Sequence, residues 1–247
     1  MLVKSQVKYI QSLSHKKLRE QEGVFIAEGP KIINELLAGT SVDLRQLYAL
    51  EEWVNNHKQL LKLIDNTRII VITPAELIRI SSLTTPNEVL GIFQQPVFDN
   101  VVNPQGKISI LLDAIQDPGN LGTIIRCADW FGVSQVICTE DCADVFSAKV
   151  VQSTMGSVCR VQVLYTDATI FLAKYKDVPV YAAVLEGTDI YKMPKITEGI
   201  ILIGNESKGI RTSLLTPSAH KITIGRKGRA ESLNAAVATG IILSHLT

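Results

Sequence analysis

Residues 117–133 read DPGNLGTIIRCADWFGV. A Pro-Gly-Asn-Leu-Gly turn opens a helical pattern in which Leu121, Ile124, Ile125, Ala128 and Phe131 form one apolar stripe. The apolar run ISILLDAI, 108–115, comes directly before it and has the composition of a buried parallel strand. Strand, glycine-bearing turn and helix in this order begin an α/β unit. Glycines ahead of a helix often mark a phosphate site, because free N–H groups at a helix N-terminus bind anions.

The alternation continues downstream. SQVICTE, RVQVLY, VPVYAAVL, GIILIGN and KITIG read as strands; SAKVVQSTMGS, ATIFLAKY and the closing SLNAAVATGIILSHL read as helices. This predicts a doubly wound parallel sheet whose ligands sit beyond the carboxyl ends of its strands. Three unusual loops fall at that edge: DPGN, GNESKG and GRKGRAESLN. Upstream, GVFIAEG, LRQLYAL, RIIVITP and EVLGIF alternate with the helical patterns PKIINELLA and EEWVNNHKQLLKLI, a second, smaller α/β part. QQPVFDNVVNPQGK, from Gln94 to Lys107, breaks the rhythm with two prolines and a glycine. The expected division is 1–95, a linker at 96–107, and 108–247.

Composition narrows the function classes. The 247 residues are 46% hydrophobic and 20% charged, with a net charge of +1, as in ordinary soluble globular proteins. Overall charge announces no nucleic-acid partner, although HKKLR (His15–Arg19) and GRKGR (Gly225–Arg229) are basic clusters. Cys127, Cys138, Cys142 and Cys159 form no CxxC pair and have no histidine nearby. No metal site is expected, and buried reduced thiols in a cytoplasmic protein are. The N-terminus lacks a signal-peptide core, and the longest apolar run, AAVATGIIL, is far shorter than the roughly 20 residues that span a bilayer.

The phosphate reading fails on detail. Gly119 and Gly122 give only GxxG, and GNESKG is followed by Ile210 and Arg211 where a Walker loop needs Lys and Ser or Thr. The three loops instead gather Asn120, Arg126, Glu206, Lys208, Ser232 and Asn234, with no histidine base and no cysteine nucleophile. Such a set suits holding a polar ligand and orienting a hydroxyl. Each residue also has a plainer role open to it. Asn120 could cap a helix starting at Leu121, Ser232 the last helix, Arg126 could pair on the surface, and Glu206 could sit near a helix N-terminus.

Taken together, DPGNLGTIIRCADWFGV, ILIGNESKGI and ITIGRKGRAESLNAAVA, in this order, resemble the motifs of the SpoU-type (TrmH-like) RNA 2′-O-ribose methyltransferases of the SPOUT superfamily. HKKLREQEGVFIAEGPKIINELL and SSLTTPNEVLGIF resemble that family's substrate-binding domain, an RNA-binding α/β domain similar to ribosomal-protein folds. The resemblance implies a deep trefoil knot through the last two motif loops, a topology that pattern rules alone would exclude. It implies S-adenosylmethionine as cofactor, held around Leu202, Gly204, Asn205, Ile224, Leu233 and Asn234. It assigns catalysis to Asn120, Arg126, Glu206, Ser232 and Asn234, and a homodimer with the active site at the interface. Lys16, Lys17, Arg19, Arg226, Lys227 and Arg229 become candidates for RNA contact. The implied reaction is 2′-O-methylation of ribosomal RNA, a step of rRNA processing. Transfer RNA as substrate, or a catalytically idle RNA-binding or ribosome-assembly factor on the same fold, are the other readings.

Overall fold

The computed structural model describes residues 2–39, 42–98 and 101–247. The chain divides into two compact units: Met1–Val97 with Phe146–Cys159, and Phe98–Val145 with Arg160–Thr247. The expected linker at 96–107 straddles this boundary, and its Asp99 and Asn100 lie outside the described residues. Its later part is not a free tether. Val102 is a core residue of the second unit, and its carbonyl accepts from Tyr175 Oη at 2.8 Å.

The first unit opens with helices α1 (Lys4–Ser12) and α2 (Lys16–Glu22). It then runs through β1 (Val24–Glu28), α3 (Pro30–Gly39), β2 (Leu44–Leu50), α4 (Glu51–Asn56), α5 (Lys58–Leu61), β3 (Ile69–Ile72), α6 (Pro74–Ile80) and β4 (Val89–Gln94). The sheet order is β1-β4-β2-β3, with β2 and β3 parallel and both β4 pairings antiparallel. EEWVNNHKQLLKLI, expected as one helical run, breaks at His57 (φ −116°). There the ring stacks on Trp53 at 4.3 Å and Nδ1 meets the Trp53 carbonyl at 2.8 Å. Ile10, Leu13, Val24, Tyr48, Leu77, Leu90 and Ile92 make the core on one side of the sheet.

The second unit is the predicted parallel sheet. Its strands are β5 (Ile108–Leu112), β6 (Gln135–Cys138), β7 (Gln162–Tyr165), β8 (Val180–Asp189), β9 (Gly199–Ile203) and β10 (His220–Thr223). The order is β10-β8-β9-β5-β6-β7, every pair parallel. Helices α7 (Pro118–Trp130), α9 (Ala168–Lys174) and α10 (Ala235–Leu246) complete it, and α7 packs against α10. Helix α8 (Ala148–Thr154), expected in this part, belongs to the first unit, where it packs on β1. Phe146, just ahead of it, stacks on Phe25 at 5.6 Å.

From β5 the chain winds through β6 to β7, then crosses to the other side for β8 and β9. Strands β5 and β9 are therefore neighbours at the reversal of winding. Crevices at such a point, beyond the carboxyl ends of the strands, hold ligands in open α/β sheets.

Candidate active site

The loop after β5 carries Asn120. Asp117 caps α7 by accepting from Asn120 N at 2.9 Å, and Pro118 takes the first helical position, where no N–H is needed. The cap is thus Asp117 and the helix starts one turn earlier than a capping Asn120 would require. As the third residue of α7, Asn120 has its side chain available for other partners.

The loop after β9 carries Glu206. Asn205 organises it: its Oδ1 accepts from Ser207 N (2.9 Å) and Lys208 N (3.1 Å), and its N–H and C=O pair with Gly209. Gly204 is required, because a Cβ there would collide with the backbone of Gly209 and Ile210. Asn205 Nδ2 reaches across to the Ala114 carbonyl at 2.8 Å. Side chain and backbone of Asn205 are thereby engaged within the fold.

The loop after β10 ends at Asn234. Its Oδ1 accepts from Ala236 N (2.9 Å) and Val237 N (3.3 Å) and caps α10, a role open to Ser232 by sequence but not taken by it. This cap fixes the amide's sense. With the oxygen turned to the helix, Asn234 Nδ2 donates to Asn120 Oδ1 at 2.8 Å, and Asn120 Nδ2 donates to Glu206 Oε1 at 2.5 Å. One polar chain, Asn234–Asn120–Glu206, joins all three loops. An ionised carboxylate can only accept, so the three groups agree in direction.

A second cluster lies beneath. Asp113, fully buried at the end of β5, accepts from Arg211 N (2.7 Å) and Nε (2.6 Å). Arg211 also meets Asp141 at 3.2 Å. Asp141 is held below the ordinary carboxylate range, first by the Thr139 hydroxyl, with Arg211 contributing. Arg211 is raised above its usual value, chiefly by its bond to Asp113. Between these groups Ala114 adopts φ +56°, a left-handed conformation that costs a non-glycine residue about 1–2 kcal/mol. Nothing in the sequence marks this cluster or the strained alanine except the Asp that interrupts the apolar run 108–115.

The remaining candidates are placed as follows. Arg126 is exposed on α7, six residues and so about 9 Å along the axis from Asn120, and its side chain makes no hydrogen bond or ion pair among the described residues. Ser232 and Leu233 are exposed and Ile224 is half-buried. Leu202 is a fully buried core side chain, with its backbone paired to β5 and β8. Arg226, Lys227 and Arg229 are exposed, as are Lys16 and Lys17; Lys16 faces Glu20 at 3.6 Å. Arg19 is a correction. It is 4% exposed, and its Nη1 donates to the carbonyls of Leu13 and Ser14, both at 2.7 Å. Its charge closes the α1–α2 turn from inside and is not presented to RNA.

Among the described residues no cluster of His, Cys, Asp and Glu could hold a metal ion, and no helix is long and apolar enough to cross a membrane.

A parallel α/β sheet with a polar chain joining three loops at its winding reversal places the chain in the doubly wound class, whose ligands sit at that edge. More narrowly, the chain belongs to the SpoU rRNA Methylase family, whose model matches residues 107–244. Residues 4–91 match the MRM3-like substrate binding domain. The chain is 28% identical over 243 residues to the 23S rRNA (guanosine(2553)-2'-O)-methyltransferase RlmP of Bacillus subtilis (strain 168), covering 97% of this chain and 95% of that protein. Among solved structures it resembles a TrmH-family RNA methyltransferase chain from Porphyromonas gingivalis, with TM-score 0.82, 34% identity, and 100% and 98% of the two chains covered. It also resembles the AdoMet-bound rRNA methyltransferase from Sinorhizobium meliloti, with TM-score 0.83, 31% identity, and 100% and 95% covered.

Proposed function

We propose that this chain methylates a ribose 2′-hydroxyl of ribosomal RNA, with S-adenosylmethionine as methyl donor. The observation that carries the reading is the Asn234–Asn120–Glu206 chain, which draws the three motif loops into one site.

The residues suit the cofactor's chemistry. Ile224 to Leu233 form neither helix nor strand, and their N–H groups make no backbone hydrogen bond among the described residues. Exposed backbone donors and acceptors, flanked by the apolar Ile224 and Leu233, match a ligand with a purine edge, ribose hydroxyls and an aminocarboxylate. Gly204, Ile224, Leu233 and Asn234 would hold it. When bound, the cofactor supplies an electrophilic methyl group.

The chain's own residues manage the nucleophile. A ribose hydroxyl is weakly acidic, so it must be oriented and the charge developing on its oxygen stabilised. Asn120 has a second amide hydrogen beyond the one given to Glu206, and directs it at the ribose. Glu206 holds Asn120 and places negative charge near the donor site. Arg126, a guanidinium, binds the adjacent phosphate and lowers the cost of the developing alkoxide, while a phosphate oxygen or water takes the proton. Ser232 supplies a hydroxyl on the substrate side.

Arg126 and Trp130 lie one turn apart and share an exposed face of α7, where Trp130 is 83% exposed. Val237 on the adjoining α10 is half exposed. These residues support a homodimer through α7 and α10, with Arg126 brought to the interface. The loops at Gly204–Ile210 and Ile224–Asn234 are the segments through which a trefoil knot would thread. The exposed Arg226, Lys227 and Arg229 lie between β10 and Asn234 and are suited to RNA phosphates. The buried thiols of Cys138 and Cys142 fit a reducing, cytoplasmic setting.

The test is methyl transfer from radiolabelled S-adenosylmethionine to total RNA, fractionated by size and digested with alkali. Label in alkali-resistant dinucleotides from ribosomal RNA is the expected result. Label confined to transfer RNA would move the substrate assignment, and no label with RNA or ribosomal subunits, despite cofactor binding, would overturn the activity.

A further inference from the structure

The segment Thr139–Ala143 follows β6 and belongs to none of the three loops. It is nevertheless bonded along the end of β5. Thr139 N donates to Leu112 O (3.1 Å), Ala114 N to Thr139 Oγ1 (2.9 Å), Ile115 N to Cys142 Sγ (3.3 Å), and Ala143 N to Ile115 O (2.9 Å). The left-handed Ala114 is therefore held at both ends, its N–H by Thr139 and its C=O by Asn205 Nδ2. A non-glycine residue keeps such a conformation only where its surroundings over-determine it.

Thr139 has one hydroxyl proton, and it goes to Asp141 Oδ1 at 2.6 Å. The same oxygen accepts from Arg211, which grips the buried Asp113. A ring closes: Ala114, Thr139, Asp141, Arg211, Asp113, and back to Ala114 along the chain. It couples the turn leading to Asn120 with the loop that carries Glu206.

We propose that Thr139 and Asp141 are positioning residues for methyl transfer, which set the turn at Ala114 and the seat of Arg211 and thereby the contact between Asn120 and Glu206. The inference rests on the function proposed above. Neither residue touches the polar chain, so both act through the backbone of one loop and the guanidinium of the other. Valine at 139 keeps the shape of threonine but leaves Ala114 N–H without its acceptor and takes from Asp141 the hydroxyl donor, so that Arg211 alone holds that oxygen.

The test compares the full-length parent with Thr139→Val, Thr139→Ser and Asp141→Ala. Thr139→Val and Asp141→Ala are expected to lower kcat at least tenfold, with the KM for RNA and the Kd for S-adenosylmethionine within twofold of the parent. Thr139→Ser, which keeps the hydroxyl, is expected to retain more than half of kcat. Amide hydrogen exchange at Asn120 and Arg211 should speed at least tenfold in Thr139→Val, while Leu111 inside β5 exchanges as in the parent. A Thr139→Val kcat within twofold of the parent, or an equal loss in Thr139→Ser, overturns the proposal. If Thr139→Val does not fold, Asp141→Ala carries the same criteria, its side chain being partly exposed. If the parent methylates no RNA, the functional reading falls by itself. Exchange then decides the coupling, and unchanged rates at Asn120 and Arg211 overturn it.

Discussion

Asn234 donates to Asn120 across 2.8 Å, although the two residues lie 114 positions apart in the chain. The bond has a direction imposed from outside the pair. Asn234 must turn its oxygen to the α10 N–H groups, so its amino group faces Asn120, whose own amino group then faces Glu206. The helix cap and the alignment of Asn120 are one arrangement.

Replacing Asn120 with Asp removes the donor and sets two carboxylates against each other. Like charges at this distance raise the pKa of one of them. A carboxyl whose folded pKa lies above its unfolded value gives stability below the unfolded pKa and loses it as pH rises through the folded one. Asn120→Asp should therefore have a larger Tm deficit at pH 7 than at pH 4.5, and methyl transfer at neutral pH should fall by at least tenfold. Melting curves of variant and parent at the two pH values check this; equal deficits would show that the carboxylates do not meet.

Asn234 has two functions that substitution separates. Asn234→Ala should cost about 1 kcal/mol through the lost N-cap, roughly 2–4 °C in Tm for a chain of this size. Asn234→Asp keeps an acceptor for the cap but cannot donate to Asn120. It should recover most of the Tm while turnover stays low. Parallel recovery of both would mean that the cap alone matters.

Arg126 is exposed and its side chain makes no hydrogen bond or ion pair among the described residues, so its removal disturbs little of the fold. Arg126→Ala should lose turnover by two orders of magnitude or more, with the Tm within about 1 °C and cofactor affinity unchanged. Single-turnover methylation together with calorimetric titration of S-adenosylmethionine measures both. Normal turnover would remove Arg126 from the chemistry.

The basic residues divide by burial. Arg19→Ala leaves two turn carbonyls without their donor and should destabilise by roughly 1–3 kcal/mol. Lys17→Ala should leave the Tm alone. Charge reversal at Arg226 and Lys227 should weaken RNA binding and flatten its salt dependence without touching the cofactor. Filter binding over a salt series, beside thermal melts, separates the two classes; an unchanged salt slope would exclude the 225–229 loop.

The architecture was legible in the sequence because hydrophobic periodicity is local. ISILL, QVIC and GIILI are runs whose neighbours along the chain already require burial on both faces, and each became a strand at the expected place. Loops that follow parallel strands share one edge, so the neighbourhood of Asn120, Glu206 and Asn234 was also readable. The capping residues were readable in type but not in position. Asp117 and Asn120, or Ser232 and Asn234, are equally able to cap, and only the helix start decides between them.

The sequence alone therefore determined two α/β parts, the strands of the parallel sheet, and the three loops with their polar residues. The tertiary structure decided which of those residues meet. It joined Asn120 to partners 86 and 114 positions away, buried Arg19 against the turn carbonyls, moved α8 into the first unit, and placed Thr139 and Asp141 behind the site. Hydrogen-bond partners at such separations follow from strand order, which no local pattern encodes. Whether a charge faces water or a carbonyl depends on what packs over it.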